Sequence, residues 1–282
     1  MRRNACIATL VSVLILQCCA DSGGPTTHDG DIPSAGGPSS GGSAEGGGGG
    51  GGTGEPSGGG GMSSEGGAVA NGGCAGPNVM HCDDFERELD PTFWYVHDGA
   101  SGDAIPTHEI DSMRAFRGSS SWHGSVEFTD GGSGFVELRE STFLPLPDLH
   151  TRVHVYVPAS SQNTWFALGM IDDTSGGYAS VGVGLDGGHL TLISWGGGQA
   201  EGADNDPFPV DTWVCLEWQY SGSDGTMTVW RDGQVVINAV PASYDGSVDE
   251  NWVGIYGWNN PSQRIDVWLD DVAFGTGFIG CD

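Results

Sequence analysis

The run Arg152-Val153-His154-Val155-Tyr156-Val157 alternates polar and apolar side chains, which is the period of an extended strand. Its three valines must share one face, leaving Arg152, His154 and Tyr156 together on the other. Phe135-Val136-Glu137-Leu138-Arg139 follows the same rule, with Val136 and Leu138 turned inward and Glu137 and Arg139 outward. In Trp213-Val214-Cys215-Leu216-Glu217-Trp218-Gln219, Glu217 and Gln219 share a face with Trp213, and His189 falls with Trp195 on a further strand. If these strands lie in one sheet, its outer face carries carboxylate, guanidinium, imidazole, phenol and indole groups. Flat rings can stack on the C–H faces of a sugar while bidentate polar groups take up its hydroxyls. The expectation is a glycan-binding face of Glu137, Arg139, Arg152, His154, Tyr156, His189 and Glu217. The bland alternative is a solvated sheet face with incidental aromatics.

The elements that must position these residues are short alternating runs broken by Gly, Asp, Asn and Pro. Strands are predicted over 81–86, 93–97, 107–110, 120–129, 134–140, 152–157, 165–171, 179–185, 189–195, 212–220, 226–231, 234–238, 252–257 and 264–274. No helical period lasts longer than a turn or two. Asp186-Gly187-Gly188 and Asp232-Gly233 have the residues of tight hairpin turns. So many closely spaced strands predict an all-β fold, a two-sheet antiparallel jelly-roll sandwich.

Charge narrows the partners. The chain of 282 residues has nine basic side chains, all Arg, against 37 acidic ones, for a formal net charge of −28. Nucleic acid and anionic lipid surfaces need a stripe of basic residues that this chain lacks. No phosphate-binding GxxxxGK[ST] loop can exist without Lys. Of 51 glycines, 23 fall between residues 20 and 73, so the excess belongs mainly to one segment. That segment has too little apolar surface to offset its ordering entropy and is predicted to be a disordered tether, reaching about 40 Å as a flexible coil. Before it, Met1-Arg2-Arg3, an apolar run over 5–16 and Gln17-Cys18-Cys19-Ala20 have the layout of a secretory leader. Leu16-Gln17-Cys18-Cys19 resembles a bacterial lipobox, which implies cleavage before Cys19 and acylation of its thiol. Cys18 fits less well, because Gln17 would then take the small-residue position. The predicted organisation is a lipoprotein signal peptide at 1–18, a tether at 19–73 and one β-domain at 74–282, on an exported, membrane-anchored and monomeric protein of the bacterial cell envelope.

Four cysteines remain in the domain: Cys74, Cys82, Cys215 and Cys281. An even number in an exported domain predicts two disulfides. Three pairings are possible and the sequence does not choose among them. The preferred set is a local Cys74–Cys82 clip, with Cys215–Cys281 tying the end of the domain to an inner strand. No CxxC or HxxxH spacing points to zinc.

Three segments carry a family resemblance: Asp83-Asp84-Phe85-Glu86, Arg117-Gly118-Ser119-Ser120-Ser121-Trp122, and Val267-Trp268-Leu269-Asp270-Asp271-Val272. Their order resembles the concanavalin A-like and carbohydrate-binding jelly rolls, most closely the cellulose-induced secreted domain, which is akin to polysaccharide lyases. The resemblance spans 80–282. It implies a structural Ca²⁺ held by Glu86, backbone oxygen near Arg117 and Ser119, and Asp270, a chemistry consistent with the cation's demand for oxygen ligands.

Enzymatic alternatives are weighed residue by residue. Glu109-Ile110-Asp111 opens like the laminarinase-type E-I-D-x-x-E signature, but Met113 and Arg114 stand where its closing Glu belongs. Phe135-Val136-Glu137-Leu138-Arg139 resembles part of the R-x-E-L-R strand of alginate-type lyases. That likeness implies Arg139 neutralising a uronate carboxylate and His154 or Tyr156 moving the C5 proton in a β-elimination. The first Arg is missing, no Q-I-H segment is present, and Gly254-Ile255-Tyr256-Gly257 only faintly resembles the family's tyrosine strand. A purely structural surface lipoprotein is the third possibility. Residues 74–282 hold 31 acidic side chains against seven arginines, a net −24, which opposes a polyanionic substrate unless cations assist.

Overall fold

The computed structural model describes residue 74 and residues 76–281, apart from 131, 143–145, 147, 174–178, 196–198, 244–249 and 259–262. The predicted leader, Cys18, Cys19 and the predicted tether over 19–73 lie outside the described residues. The described residues contain no helix. They form β1 (Val79–Asp83), β2 (Tyr95–Gly102), β3 (Ile105–Asp111), β4 (Ser121–Glu127), β5 (Gly132–Glu140), β6 (Asp148–Tyr156), β7 (Phe166–Asp173) and β8 (Ala179–Asp186). The second half of the domain adds β9 (His189–Trp195), β10 (Gln199–Ala200), β11 (Ala203–Pro207), β12 (Trp213–Ser221), β13 (Thr226–Arg231), β14 (Gln234–Ser243), β15 (Glu250–Trp258) and β16 (Arg264–Gly275).

These strands make two sheets in which every pairing is antiparallel. The nine-stranded sheet runs β10-β14-β13-β12-β6-β16-β4-β3, with β1 also pairing β16; the seven-stranded sheet runs β11-β9-β8-β7-β15-β5-β2. The jelly-roll sandwich is therefore the fold. Alternation assigns the inner faces as the sequence requires: Val153, Val155 and Val157 from one sheet and Val136 and Leu138 from the other are buried in a single core with Trp122 and Trp218. Each such side chain stabilises the fold by roughly 1.5–3 kcal/mol relative to exposure.

All fourteen predicted strands form, two of them with identical bounds. The hairpin turns form too. Gly187 and Gly188 have φ of 55° and 83°, and Asp232 and Gly233 have 50° and 75°, the positive pairs that suit a two-residue turn to the strand twist. Two short strands, β10 and β11, escape the sequence pattern. Ala203-Asp204-Asn205-Asp206-Pro207 is poor in strand-forming residues and joins the sheet by edge pairing with β9. At the start of the domain the predicted strand over 81–86 stops at Asp83, whose carboxylate accepts the Phe85 N–H at 2.9 Å and turns the chain. Both preferred disulfides are present, Cys74–Cys82 and Cys215–Cys281.

Candidate functional site

The outer face of the seven-stranded sheet carries a cavity of about 310 Å³. His97 of β2, Phe135, Glu137 and Arg139 of β5, Asp172 of β7, Trp195 of β9, and Trp252, Tyr256 and Trp258 of β15 line it. Register brings them together. On one side of β5, Arg139 faces Trp252, Glu137 faces Gly254 and Phe135 faces Tyr256; on the other, Glu137 faces His97. Gly254 has φ of +148°, and a Cβ there would lie 2.3 Å from the Val136 carbonyl oxygen. Only glycine fits that approach, so the place beside Glu137 carries no side chain.

The floor beside the cavity is apolar, against the usual solvated outer face of a sheet. Ala167, Met170, Ile193 and Trp252 form a second buried cluster, separate from the sandwich core, with Trp165, Trp195 and Tyr256 packed on it. Trp195 and Tyr256 rings are 4.6 Å apart, and Phe135 stacks parallel to Tyr256 at 5.9 Å. Trp258 at the rim is 62% exposed. An exposed ring next to buried ones is a surface for a flat partner.

Arg139 sits among three carboxylates. Its Nε and one terminal nitrogen each meet Glu137 Oε2 at 2.7 Å, and Nη1 meets Glu250 Oε2 at 2.5 Å and Asp172 Oδ2 at 3.7 Å. His97 Nδ1 also contacts Glu137 Oε2, at 3.2 Å. The Trp252 indole donates to Asp172 Oδ2 at 3.1 Å. Burial pulls the Arg139 guanidinium down, but Glu137 and Glu250 outweigh it and hold it above its ordinary value. Burial pushes Glu137 up to about 8, with Arg139 opposing, and pushes Asp172 up to about 6. Glu137 thus keeps its proton more tightly than an exposed carboxylate does, although it lies against a guanidinium. His97 is held below the usual imidazole value by burial and then by Arg139.

The seven residues expected on one face are divided between the two sheets. Glu137 and Arg139 line the cavity. His189 lies on its face, but six residues along β9 from Trp195, roughly 20 Å at strand rise, and does not reach it. Arg152, His154, Tyr156 and Glu217 belong to β6 and β12 of the other sheet. They do point outward as alternation requires, yet three of them are buried under segments from the two ends of the domain. Arg152 donates to the Gly280 and Asp271 carbonyls at 3.3 and 3.0 Å and approaches Cys82 Sγ. Glu217 accepts the Ile279 and Gly280 N–H groups at 2.8 and 2.9 Å and contacts His150 at 2.9 Å. His154 stacks on Phe116 at 3.7 Å, and burial lowers it to about 3. Tyr156 is half-buried beneath the Arg114 guanidinium, 4.4 Å from its ring. The expected elimination trio of Arg139, His154 and Tyr156 is therefore not assembled, since its members stand on opposite outer faces of the sandwich.

Of the four positions expected to hold Ca²⁺, Ser119 meets Glu86 and Arg117 meets Asp270. Ser119 and Ser120 N–H groups donate to Glu86 Oε1 at 2.6 and 2.9 Å, and Ser119 Oγ donates to Glu86 Oε2 at 2.7 Å. Phe116 and Arg117 N–H groups donate to Asp270 Oδ2 at 2.7 and 3.1 Å. One loop, 116–120, thus ties the start of the domain to its last strand. Among the described residues no three His, Cys, Asp or Glu side chains form a metal-binding group. The donor set is oxygen-only and includes the fully buried Asp270, whose charge burial disfavours. Those residues fit a hard cation only with help from hydroxyl and backbone oxygens.

Sequence reasoning missed most of the cavity wall: His97, Phe135, Asp172, Trp195, Trp252, Tyr256 and Trp258. A signal was available, since Trp252-Val253-Gly254-Ile255-Tyr256-Gly257-Trp258 alternates as cleanly as the β6 run and places three aromatics on one face.

Comparison with protein-family models finds no match, and neither does comparison with curated proteins. Solved structures do match. The cellulose-induced protein Cip1 aligns with a TM-score of 0.55 at 20% identity, over 72% of this chain and 100% of its own. The endo-β-1,4-glucuronan lyase of the fungus Trichoderma reesei aligns with a TM-score of 0.54 at 14% identity, over 71% of this chain and 96% of its own. The chain has the two-sheet jelly-roll fold of these proteins.

Proposed function

We propose that the domain binds a polysaccharide in the groove on the outer face of its seven-stranded sheet. One observation carries the reading: an aromatic-walled cavity with a few fixed polar groups lies where a solvated sheet face is expected. Trp258, Tyr256 and Trp195 offer rings to the apolar faces of sugars, while Glu137, Asp172 and His97 supply hydroxyl partners. The fold shared with Cip1 and the glucuronan lyase supports a carbohydrate partner in general. Around this site, the proposal keeps a lipid anchor at Cys19 and a tether over 19–73, which hold the domain at the cell envelope.

A Ca²⁺ ion on Glu86, Ser119, Asp270 and backbone oxygen near Arg117 belongs to the same proposal. It would supply charge compensation for the buried Asp270 and hold the 116–120 loop in place, away from the sugar. An unchanged melting temperature with and without excess chelator would count against it.

The test is a polysaccharide panel on the purified domain, reading retention and new unsaturated ends together. Retention that Trp195→Ala abolishes, without unsaturated ends, is expected. New unsaturated ends would replace binding with β-elimination, and no retention on any glycan would leave a structural role.

A further inference from the structure

Arg139 looks like the uronate clamp of this groove, but every nitrogen of its guanidinium already meets a carboxylate. A sugar carboxylate could reach it only by displacing Glu137 or Glu250, both buried, and stranding their charge. No other Arg lines the cavity, and His97 Nδ1 already meets Glu137 Oε2 at 3.2 Å. The local balance is one cation against three carboxylates, inside a domain of net −24. A proton held by Glu137 reduces this excess without making the site positive.

Two further features favour a cation. Trp195, Tyr256 and Trp258 line the cavity, and the quadrupole of an aromatic ring attracts an ammonium group to its face. Asp172 is 3% exposed, and its Oδ1 has no partner in hydrogen-bonding geometry. Burial raises its pKa, and the nearby Ser180 hydroxyl offsets this in part without closing a bond of normal geometry to Oδ1. A buried carboxylate oxygen in an aromatic wall asks for a donor.

We propose that this cavity selects sugar units carrying a protonated amine, as in a deacetylated hexosamine polymer, and rejects uronates. The inference rests on the glycan reading above and names the class of glycan. It is tested by calorimetry with three β-1,4-linked oligomers of equal length, built from glucosamine, N-acetylglucosamine or glucuronic acid. The buffer is held at about pH 6.5, above the value of about 6 to which Asp172 is raised, and is salty enough to screen the domain's general acidity. Glucosamine oligomers are expected to bind about tenfold tighter than the acetylated ones, with no heat from the uronate. Trp258→Ala, at an exposed position that leaves folding intact, should weaken glucosamine binding about tenfold. Asp172→Asn should erase the amine preference, bringing the glucosamine and acetylated oligomers to equal affinity.

Equal or tighter binding of the uronate or the acetylated oligomer overturns the proposal and leaves glycan binding standing. So does glucosamine binding that neither substitution changes, because the attraction then lies on the acidic surface. Silence from all three oligomers and from neutral glucans overturns both readings.

Discussion

The two outer faces of the sandwich start from the same materials and end differently. Each carries a buried arginine, aromatic rings and carboxylates on outward-pointing positions. On the nine-stranded sheet, Arg152 is spent on the Asp271 and Gly280 carbonyls and Glu217 on the Ile279 and Gly280 N–H groups of the tail that follows β16. On the seven-stranded sheet nothing among the described residues closes the groove, and Trp258 remains exposed beside Tyr256. Outward orientation is thus not the same as access. What separates a structural face from a binding face here is where the ends of the domain run.

Breaking the covered face should have the largest effect. Replacing Cys215 and Cys281 by Ser opens a closure of 66 residues and should cost about 4 kcal/mol, lowering the melting temperature by about 10 °C. Glu217→Ala comes next, because it strands His150 and two backbone N–H groups in the interior. A loss of about 3 kcal/mol is expected by denaturant titration, with glycan retention intact below the transition. If Glu217→Ala abolished retention without lowering stability, the nine-stranded face would be the site and the comparison would reverse.

The open face should answer the other way. Trp258→Ala should leave the melting temperature unchanged while reducing glycan affinity by about 1–2 kcal/mol. The smallest effect is the pH dependence of the carboxylate cluster. Glu137 has its folded pKa raised from 4.5 to about 8, so the folded state binds more protons than the unfolded one across that window. Its contribution is complete below about pH 4.5 and is lost as pH rises through about 8. Melting temperature should therefore fall by about 5 °C from pH 5 to pH 8, and Glu137→Gln should flatten the slope. Asp172, also raised, acts with the same sign. A steeper slope in the Gln variant would remove Glu137 as its source.

Alternation made the fold legible in the sequence, down to the Asp232-Gly233 turn, because period and turn chemistry are local. It also placed Glu137, Arg139, Arg152 and His154 on outer faces correctly. It could not say which sheet each strand joins. β5 and β6 are consecutive in sequence, yet β5 pairs with β2 and β15 while β6 pairs with β12 and β16. Partners so distant along the chain leave no mark on local pattern, so a single polar face was assembled from two. Nor does alternation foresee cover: Arg152 has the same spacing whether water or Gly280 lies above it. The loop over 116–120 was foreseen only through its likeness to a family, since nothing in Arg117-Gly118-Ser119 names Glu86 or Asp270 as partners.

The place of Cys281 has a consequence for synthesis. It follows β16, and its partner Cys215 lies in β12, while β16 itself fills the gap between β6 and β4 at the middle of the larger sheet. Neither the central strand nor the bond that fastens the tail can be supplied until the last described strand has been made. The first half of the domain must wait with its sheet divided, β4 and β6 each lacking a neighbour. Such long-range closure is slow, and exposed strand edges invite pairing between chains. Conditions that shield strand edges while the chain is incomplete would favour its folding over association between chains.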